Sequence, residues 1–229
     1  MIKASALATA ILAFASGVHA DTIFQSATGP FDAVTCCGSS ISDTQFIGAS
    51  FSISQATRVD GIGGHFNNFE QYPDSGLGGA VFGAIVNLGS DGLPAGSMSS
   101  LAGVLAHKVF TPQSGVDSQV SMDVTLQPGR YGLVFGSGLF GANGRSTLTL
   151  LQPGAAATSS GEFMSINNSS FLTWGVMGDQ PNRYRVFLSG SLVSSVPEPT
   201  AYLMLPLGLA VVGLFNRRRL PVSSAARLA

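Results

Sequence analysis

The two cysteines of the chain are adjacent, Cys36 and Cys37, and Gly38 follows them. In an oxidising compartment such a pair forms a vicinal disulfide, pairs with other molecules, or stays reduced through burial. A vicinal disulfide requires a tight turn, which Gly38 would accommodate. A thiol oxidoreductase normally uses a Cys-x-x-Cys spacing, so we favour a redox-sensitive turn without catalysis.

The histidines offer no recognisable metal site. His65 lies in a glycine-rich stretch that we expect to be a loop, and His107 lies in a predicted strand. Neither belongs to a His-x-His or His-Glu-x-x-His motif, so the sequence predicts no metal and no cofactor. The nucleophile elbow of hydrolases and the phosphate-binding loop of nucleotide enzymes are also missing from the sequence. We therefore expect a protein without catalytic activity.

Two other sets of side chains would suit a carbohydrate. A pair of carboxylates for glycoside cleavage could assemble from four acids, Glu70, Asp74, Glu162 and Asp179, although acids in such domains are usually solvated. Four aromatic residues near segments rich in asparagine and serine could stack on sugar rings: Phe69, Tyr72, Phe171 and Trp174. We favour the alternative that these rings complete the core, because most large apolar side chains are buried.

The elements that would position these residues are predicted to be strands. Apolar residues alternate with polar ones at Val120, Met122, Val124 and Leu126, and again from Tyr131 to Phe135. The turn sequence at residues 127–130 separates the two runs, so they predict a hairpin with one buried face. Similar alternation occurs at residues 51–53, 82–88, 148–150 and 184–188. With 29 glycines and no long amphipathic helix, the sequence predicts an all-β fold, an antiparallel β-sandwich of jelly-roll type.

The N-terminal segment is typical of a secretory signal peptide. Lys3 precedes an apolar run from Ala4 to Ala15, and small residues lead to Ala20. The run is shorter than the roughly 20 residues of a membrane span. We therefore predict that residues 1–20 are removed by cleavage after Ala20.

The C-terminal segment has three parts in a fixed order. Val196-Pro197-Glu198-Pro199 is followed by an apolar run from Ala201 to Phe215 and by Arg217-Arg218-Arg219. The prolines keep the chain extended. The arginines resist translocation, so they stay in the cytoplasm and orient a membrane helix with its N-terminal side outside.

This order resembles the PEP-CTERM sorting signal of Gram-negative bacteria. The resemblance implies that Pro197, Glu198 and Pro199 are recognised by an exosortase, a membrane transpeptidase-like enzyme, and that the hydrophobic tail is temporary. The ten residues after Arg219 extend beyond the usual end of such signals. The alternative is a permanent anchor, with Ala201 to Phe215 as a single membrane helix.

Residues 21–195 are predicted to form one ectodomain, and residues 196–229 the sorting signal. The segments from Phe82 to Pro94 and from Leu126 to Gly138 resemble exported choice-of-anchor β-sandwich domains, which have no assigned activity. The ectodomain has six cationic and eleven acidic side chains, a formal charge of −5, which argues against nucleic acid as a partner.

These features predict an exported, non-enzymatic protein of the cell envelope or extracellular polymeric matrix. Its expected partners are the exosortase and, before processing, the inner membrane. One alternative is a carbohydrate-binding module that acts on exopolysaccharide. Another is a secreted glycosidase, which would require two carboxylates in one cleft.

Overall fold

The described part of the chain consists of β-strands and their connections. A computed structural model of the chain describes residues 21–29, 31, 38–67, 78–97, 100–149, 162–168, 171–176 and 184–193. The strands in these ranges are β1 (Asp21–Gln25), β2 (Ser39–Ile41), β3 (Gln45–Ile53), β4 (Thr57–Asn67), β5 (Val81–Asn87), β6 (Gly96–Ser97), β7 (Ser100–Leu101), β8 (Val104–Phe110), β9 (Val116–Leu126), β10 (Gly129–Gly136), β11 (Ser146–Leu148), β12 (Glu162–Asn168), β13 (Phe171–Val176) and β14 (Val186–Leu192). No helix occurs within them, so the all-β prediction is confirmed.

The strands form two six-stranded sheets and one two-stranded ribbon. Sheet I has the order β1-β14-β4-β11-β2, and β9 also pairs with β4. Sheet II has the order β13-β12-β3-β10-β5-β8, and β6 pairs with β7. All of these pairings are antiparallel. Strand β4 organises sheet I, because it pairs with β14, with β9 and, at its end, with β11.

Both sheets contribute to one apolar core, which we call the inner cluster. Its buried members from sheet I include Ile62, Phe66 and Met122, and those from sheet II include Ile47 and Leu133. Residues of one face of a strand recur at every second position, so each sheet turns one face toward this cluster. Burial of this apolar surface is the main favourable term that holds the two sheets together.

The predicted hairpin of β9 and β10 is wrong, although its two strands are present. The alternation in β9 is confirmed, since Met122 and Leu126 are buried whereas Asp123 and Thr125 are exposed. However, β9 pairs with β4 in sheet I, and β10 pairs with β3 and β5 in sheet II. The turn therefore carries the chain from one sheet to the other. Alternation identifies the buried face of a strand but not its partner strand.

Strands β5 and β10 are buried on both faces, which alternation alone did not indicate. Their second face contributes to an outer cluster, whose buried members are Phe46, Phe82, Ala84, Val86, Val134 and Ala142. Side chains that pack against it come from the β5–β8 connection, β8, the β10–β11 loop and β13, and they are Leu88, Leu93, Leu101, Val104, Leu139 and Trp174. These segments therefore cover part of the outer surface of sheet II.

His65 lies in β4, so the expectation that its glycine-rich stretch forms a loop is wrong. The glycines are required because neighbouring side chains occupy the space above this strand. A Cβ atom at Gly63 would lie 2.5 Å from Cζ of Phe187, and one at Gly61 would overlap the amide of Gln119. Close approach of this kind is a common reason for glycine within a strand.

Tyr184 links the two sheets through a buried hydrogen bond. Its side chain is fully buried just before β14, and its Oη donates to the carbonyl oxygen of Gly48 in β3 at 2.9 Å. We expect Tyr184→Phe to lower the free energy of unfolding by about 1–1.5 kcal/mol, because the buried carbonyl loses a partner that water cannot replace. Urea denaturation of the full-length chain, followed by circular dichroism, measures this loss.

Tyr131→Phe is the matched control. Its Oη donates to the carbonyl oxygen of Gln127 at 2.8 Å, but this bond lies within one turn and is only partly buried. Because water can reach the carbonyl of Gln127, we expect a loss of about 0.5 kcal/mol. A loss for Tyr131→Phe equal to that for Tyr184→Phe would contradict a special role for the bond between the sheets.

Candidate functional site

The candidate residues of the two terminal segments and the cysteine pair lie outside the described residues. These are the cleavage position Ala20, the pair Cys36-Cys37, the motif Pro197-Glu198-Pro199, the apolar run Ala201 to Phe215 and the arginines Arg217, Arg218 and Arg219. Their assignments stay predictions. Within the ranges that the structure describes, there is no helix of the length and hydropathy needed to cross a membrane.

The candidate carbohydrate residues are mostly outside these ranges as well. Glu70, Asp74, Asp179, Phe69 and Tyr72 are not described, and Glu162 and Phe171 are described only as backbone of β12 and β13. Trp174 is partly buried and packs against the outer cluster, with its ring 6.3 Å from that of Phe46. For Trp174, the interpretation as a core residue is therefore confirmed.

His65 belongs to an ionic cluster on sheet I. Its Nδ1 lies 2.9 Å from Oδ1 of Asp117, the residue opposite it in β9. The second carboxylate oxygen lies 3.0 Å from Nε of Arg185, an ion pair without hydrogen-bond geometry. Arg185 also donates through Nη1 to Gln25 and Ala27. The cluster thus ties four segments of the chain together, β4, β9, the residues before β14 and the end of β1, which is a structural role.

A pocket of about 580 Å³ lies at one end of the sheets. It is bounded by the β2–β3 turn and by the loop from β10 to β11. Its described lining residues are Asp43, Thr44, Ser137, Gly138, Gly141, Ala142, Asn143, Gly144 and Arg145. The volume falls within the roughly 300–1,000 Å³ of small-molecule sites.

Backbone hydrogen bonds fix the β10–β11 loop on one side of this pocket. Gly138 donates to the carbonyl of Ala142 at 2.8 Å, and Ala142 donates to that of Leu139 at 2.9 Å. At the end of the loop, Arg145 exchanges two bonds with Gly78, of 2.7 and 2.8 Å. The loop is therefore held at both ends by main-chain contacts.

Glycine permits the close approach of this loop to the neighbouring segment. A Cβ atom at Gly144 would overlap the backbone of Gly79 and would lie 2.5 Å from the nitrogen of Ala80. With no side chain there, Gly144 donates to the carbonyl of Ala80 at 2.7 Å. Residue 144 thus has to be glycine for this wall of the pocket to form.

The β2–β3 turn is equally well defined. Ser42 Oγ accepts a hydrogen bond from the backbone of Thr44 at 3.2 Å and lies 3.0 Å from the Thr44 hydroxyl. Ser137 donates from its backbone to the carbonyl of Ser42 at 3.2 Å, which joins the turn to the start of the loop. Both sides of the pocket are thus connected before any ligand binds.

Three polar side chains of the pocket have no partner among the described residues. Asp43, Asn143 and Arg145 are exposed, and none of them takes part in an ion pair or side-chain hydrogen bond there. Together they present a carboxylate, an amide and a guanidinium, which accept and donate hydrogen bonds. This combination suits a ligand rich in hydroxyl groups.

The same loop carries an aromatic residue with an unusual backbone. Phe140 has φ of 56° and is 38% exposed, and its ring stacks on His107 at 4.0 Å. Phe82 contacts the ring of Phe140 edge to face at 5.1 Å. The left-handed region is rarely populated by bulky residues and is often associated with function. His107 lies in β8, where the sequence predicted a strand, and its ring supports that of Phe140.

The described lining of the pocket holds neither a carboxylate pair nor a metal-binding cluster. Glycoside cleavage needs two carboxylates, and the described lining residues supply one, Asp43. Across the described ranges, no three His, Cys, Asp or Glu side chains come together as a metal ion would require. The described lining residues can donate and accept hydrogen bonds, and they carry one negative and one positive charge.

Sequence reasoning did not identify this pocket. Asp43, Asn143 and Arg145 belong to no motif, and Asp43 is far from the other two in the chain. One available signal was the run Gly136-Ser137-Gly138 with Gly141 and Gly144, since closely spaced glycines favour loops with unusual backbone geometry.

Comparisons with known proteins assign the chain to no group. No protein-family model matches its sequence. None of the curated proteins is significantly similar to it either. The functional proposal is therefore built on the chain's own segments and on the geometry of its pocket.

Proposed function

We propose that the protein is an exported, non-enzymatic component of the cell surface or extracellular polymeric matrix, sorted and processed by an exosortase. The observation that carries the proposal is the order of three segments near the C-terminus: the motif Pro197-Glu198-Pro199, the apolar run Ala201 to Phe215 and the arginines 217–219. A signal peptide ending at Ala20 delivers the chain to the same membrane. The apolar run then holds it there until the exosortase acts.

The ectodomain of this proposal is a β-sandwich of jelly-roll type. The strand orders support it, because eight of the strands divide into the sets β2-β11-β4-β9 and β3-β10-β5-β8. A jelly roll likewise places eight strands in two sheets by two Greek keys. In addition, β12 and β13 extend sheet II beyond β3, β14 pairs with β4, and β1 pairs with β14.

The sorting proposal predicts two cleavages. We expect the protein recovered outside the cytoplasm of its native host to begin at Asp21 and to end near Pro197. In a strain without the exosortase, the C-terminal segment should be retained, because the motif has no enzyme to recognise it. Intact-mass spectrometry of the exported protein in both strains makes this measurement.

Glu198→Ala is the informative variant, and Arg227→Ala is its control outside the three-part signal. We expect the first to keep its tail and the second to lose it. A tail present in every strain would make Ala201 to Phe215 a permanent anchor. A tail lost equally without the exosortase would show that another protease acts.

A second candidate function is a carbohydrate-binding module that acts on exopolysaccharide. One observation favours it: the pocket beside the β10–β11 loop presents Asp43, Asn143 and Arg145, with no partners among the described residues. Binding to a polysaccharide would also retain the exported protein in the extracellular matrix. Binding and sorting are compatible, since they use different parts of the chain.

A further inference from the structure

We propose that the pocket lined by Asp43, Asn143 and Arg145, together with Phe140 of the same loop, is a binding site for a neutral polysaccharide. The inference rests on the proposed carbohydrate-binding function. It adds the location of the site, the residues that form it and the charge of the ligand. The site is built by the β2–β3 turn and the β10–β11 loop.

The polar groups define the class of ligand. A sugar hydroxyl both donates and accepts, so adjacent hydroxyls can donate to the Asp43 carboxylate and accept from the Arg145 guanidinium. Asn143 supplies one further donor and acceptor group. Hydrogen bonds of this kind to ionised groups are stronger than those between neutral groups.

The charges of the pocket favour a neutral sugar. Asp43 and Arg145 balance each other, and they are the charged residues among the described lining. Asp43 would repel the carboxylate of a uronic acid while Arg145 attracts it, and the reverse holds for the ammonium of an amino sugar. A charged sugar therefore gains little net electrostatic energy to offset the loss of its hydration, a cost that a neutral hexose avoids.

The site is largely preorganised, which lowers the entropic cost of binding. Ser137 joins the turn to the loop, and Arg145 is fixed through its backbone to Gly78. Gly138 has φ of 78°, and a Cβ atom there would lie 3.0 Å from that of Asp43. The glycine therefore lets the loop approach Asp43 without displacing its side chain.

Phe140 lies in the same loop, outside the described lining of the pocket, and is the apolar group that we assign to an adjoining sugar of the polymer. It directly precedes Gly141, a lining residue, and it remains partly exposed although Phe82 and His107 support its ring. Its positive φ is a strain that a glycine would avoid. Aromatic rings pair an apolar surface with low conformational entropy, as the C–H face of a sugar requires.

The test is affinity electrophoresis of the exported protein through gels that contain one polysaccharide each. Dextran, galactomannan and hydroxyethylcellulose represent neutral polymers, polygalacturonate an acidic one and chitosan a basic one. We expect at least one neutral polymer to retard the protein and the charged polymers to retard it less. Asp43→Ala and Arg145→Ala should each weaken the retardation at least about tenfold, as expected for the loss of a hydrogen bond to a charged group.

The controls are Asp123→Ala and Lys108→Ala, which remove a similar charge from exposed positions outside the pocket. They should retain affinity within about twofold of the wild type. Asp43 and Arg145 are exposed and make no described side-chain contacts, so their variants should unfold at the wild-type temperature. Phe140→Leu should lower affinity while keeping an apolar side chain on the outer cluster.

The outcomes distinguish a wrong location of the binding site from a wrong binding function. If a neutral polymer retards the wild type and the Asp43 and Arg145 variants equally, the site is wrong and the carbohydrate-binding function stands. If no polymer retards the wild type, both are wrong. A preference for polygalacturonate or chitosan would overturn the neutral ligand.

Discussion

Replacing Phe66 by alanine is expected to lower the free energy of unfolding by about 3–5 kcal/mol, as for other large buried aromatic side chains. Phe66 lies in β4 of sheet I and is fully buried. Its ring packs edge to face on Phe110 of β8 and on Phe135 of β10, at 5.7 and 5.4 Å between centroids. Since both partners belong to sheet II, the ring fills the space between the sheets.

The size of this effect follows from the rigidity of the neighbouring strands. The cavity left by the ring can close only if the sheets move, and β4 is paired on both sides. Such a site relaxes poorly, so the cavity cost adds to the lost transfer free energy. Urea denaturation of the full-length variant, followed by circular dichroism, measures the change.

Leu192→Ala is the control for this prediction. Leu192 ends β14 and is 60% exposed, so its truncation should change stability by less than about 0.5 kcal/mol. If the free energy of unfolding of Phe66→Ala lay within about 1 kcal/mol of the wild-type value, the result would contradict a core shared by the two sheets.

Introducing one methyl group at Gly190 is expected to destabilise the fold by about 3 kcal/mol, the upper part of the range for overpacked sites. A Cβ atom there would overlap the carbonyl oxygen of Arg58 and would lie 3.1 Å from Cα of Val59. Both neighbours are backbone atoms of β4. The pairing of β14 with β4 is irregular between Ser189 and Gly190, which brings the strands close at this point.

Displacing the backbone of β4 would itself lower the free energy of unfolding. Strand β9 pairs with the other side of β4 over the same residues, and its own register shifts between Val59 and Gly61. Moving Arg58 would therefore disturb pairing on both sides. We expect Gly190→Ala to unfold at a lower urea concentration with an unchanged denaturant slope.

Gly175→Ala is the matched control. Gly175 lies in β13, and no atom lies within 4 Å of the position that its Cβ would occupy. The same substitution should be neutral there within about 0.5 kcal/mol. Equal destabilisation by the two substitutions would attribute the effect to loss of glycine in a strand and not to the contact with Arg58.

Local chemistry predicted several features of this protein correctly. The alternation of residues 120–126 located a strand and its buried side, because the two faces of a strand experience different solvation. Asp91 lies in the sequence Gly-Ser-Asp-Gly, which favours a turn capped by aspartate, and its Oδ1 accepts a hydrogen bond from the backbone of Leu93 at 3.0 Å. Such contacts span two residues, so the sequence specifies them directly.

Interactions between distant residues decided the rest. The partners of β9 and β10, the strand at His65, the second buried face of β10 and the pocket at Asp43 and Arg145 all depend on segments distant in the chain. By itself, the sequence determined the all-β class, the strands at residues 120–126 and 131–135, and the segments on which the sorting proposal rests. Only the tertiary structure decided which strands pair and which loops meet, because periodicity records the solvation of each residue and carries no information about its neighbour across the sheet.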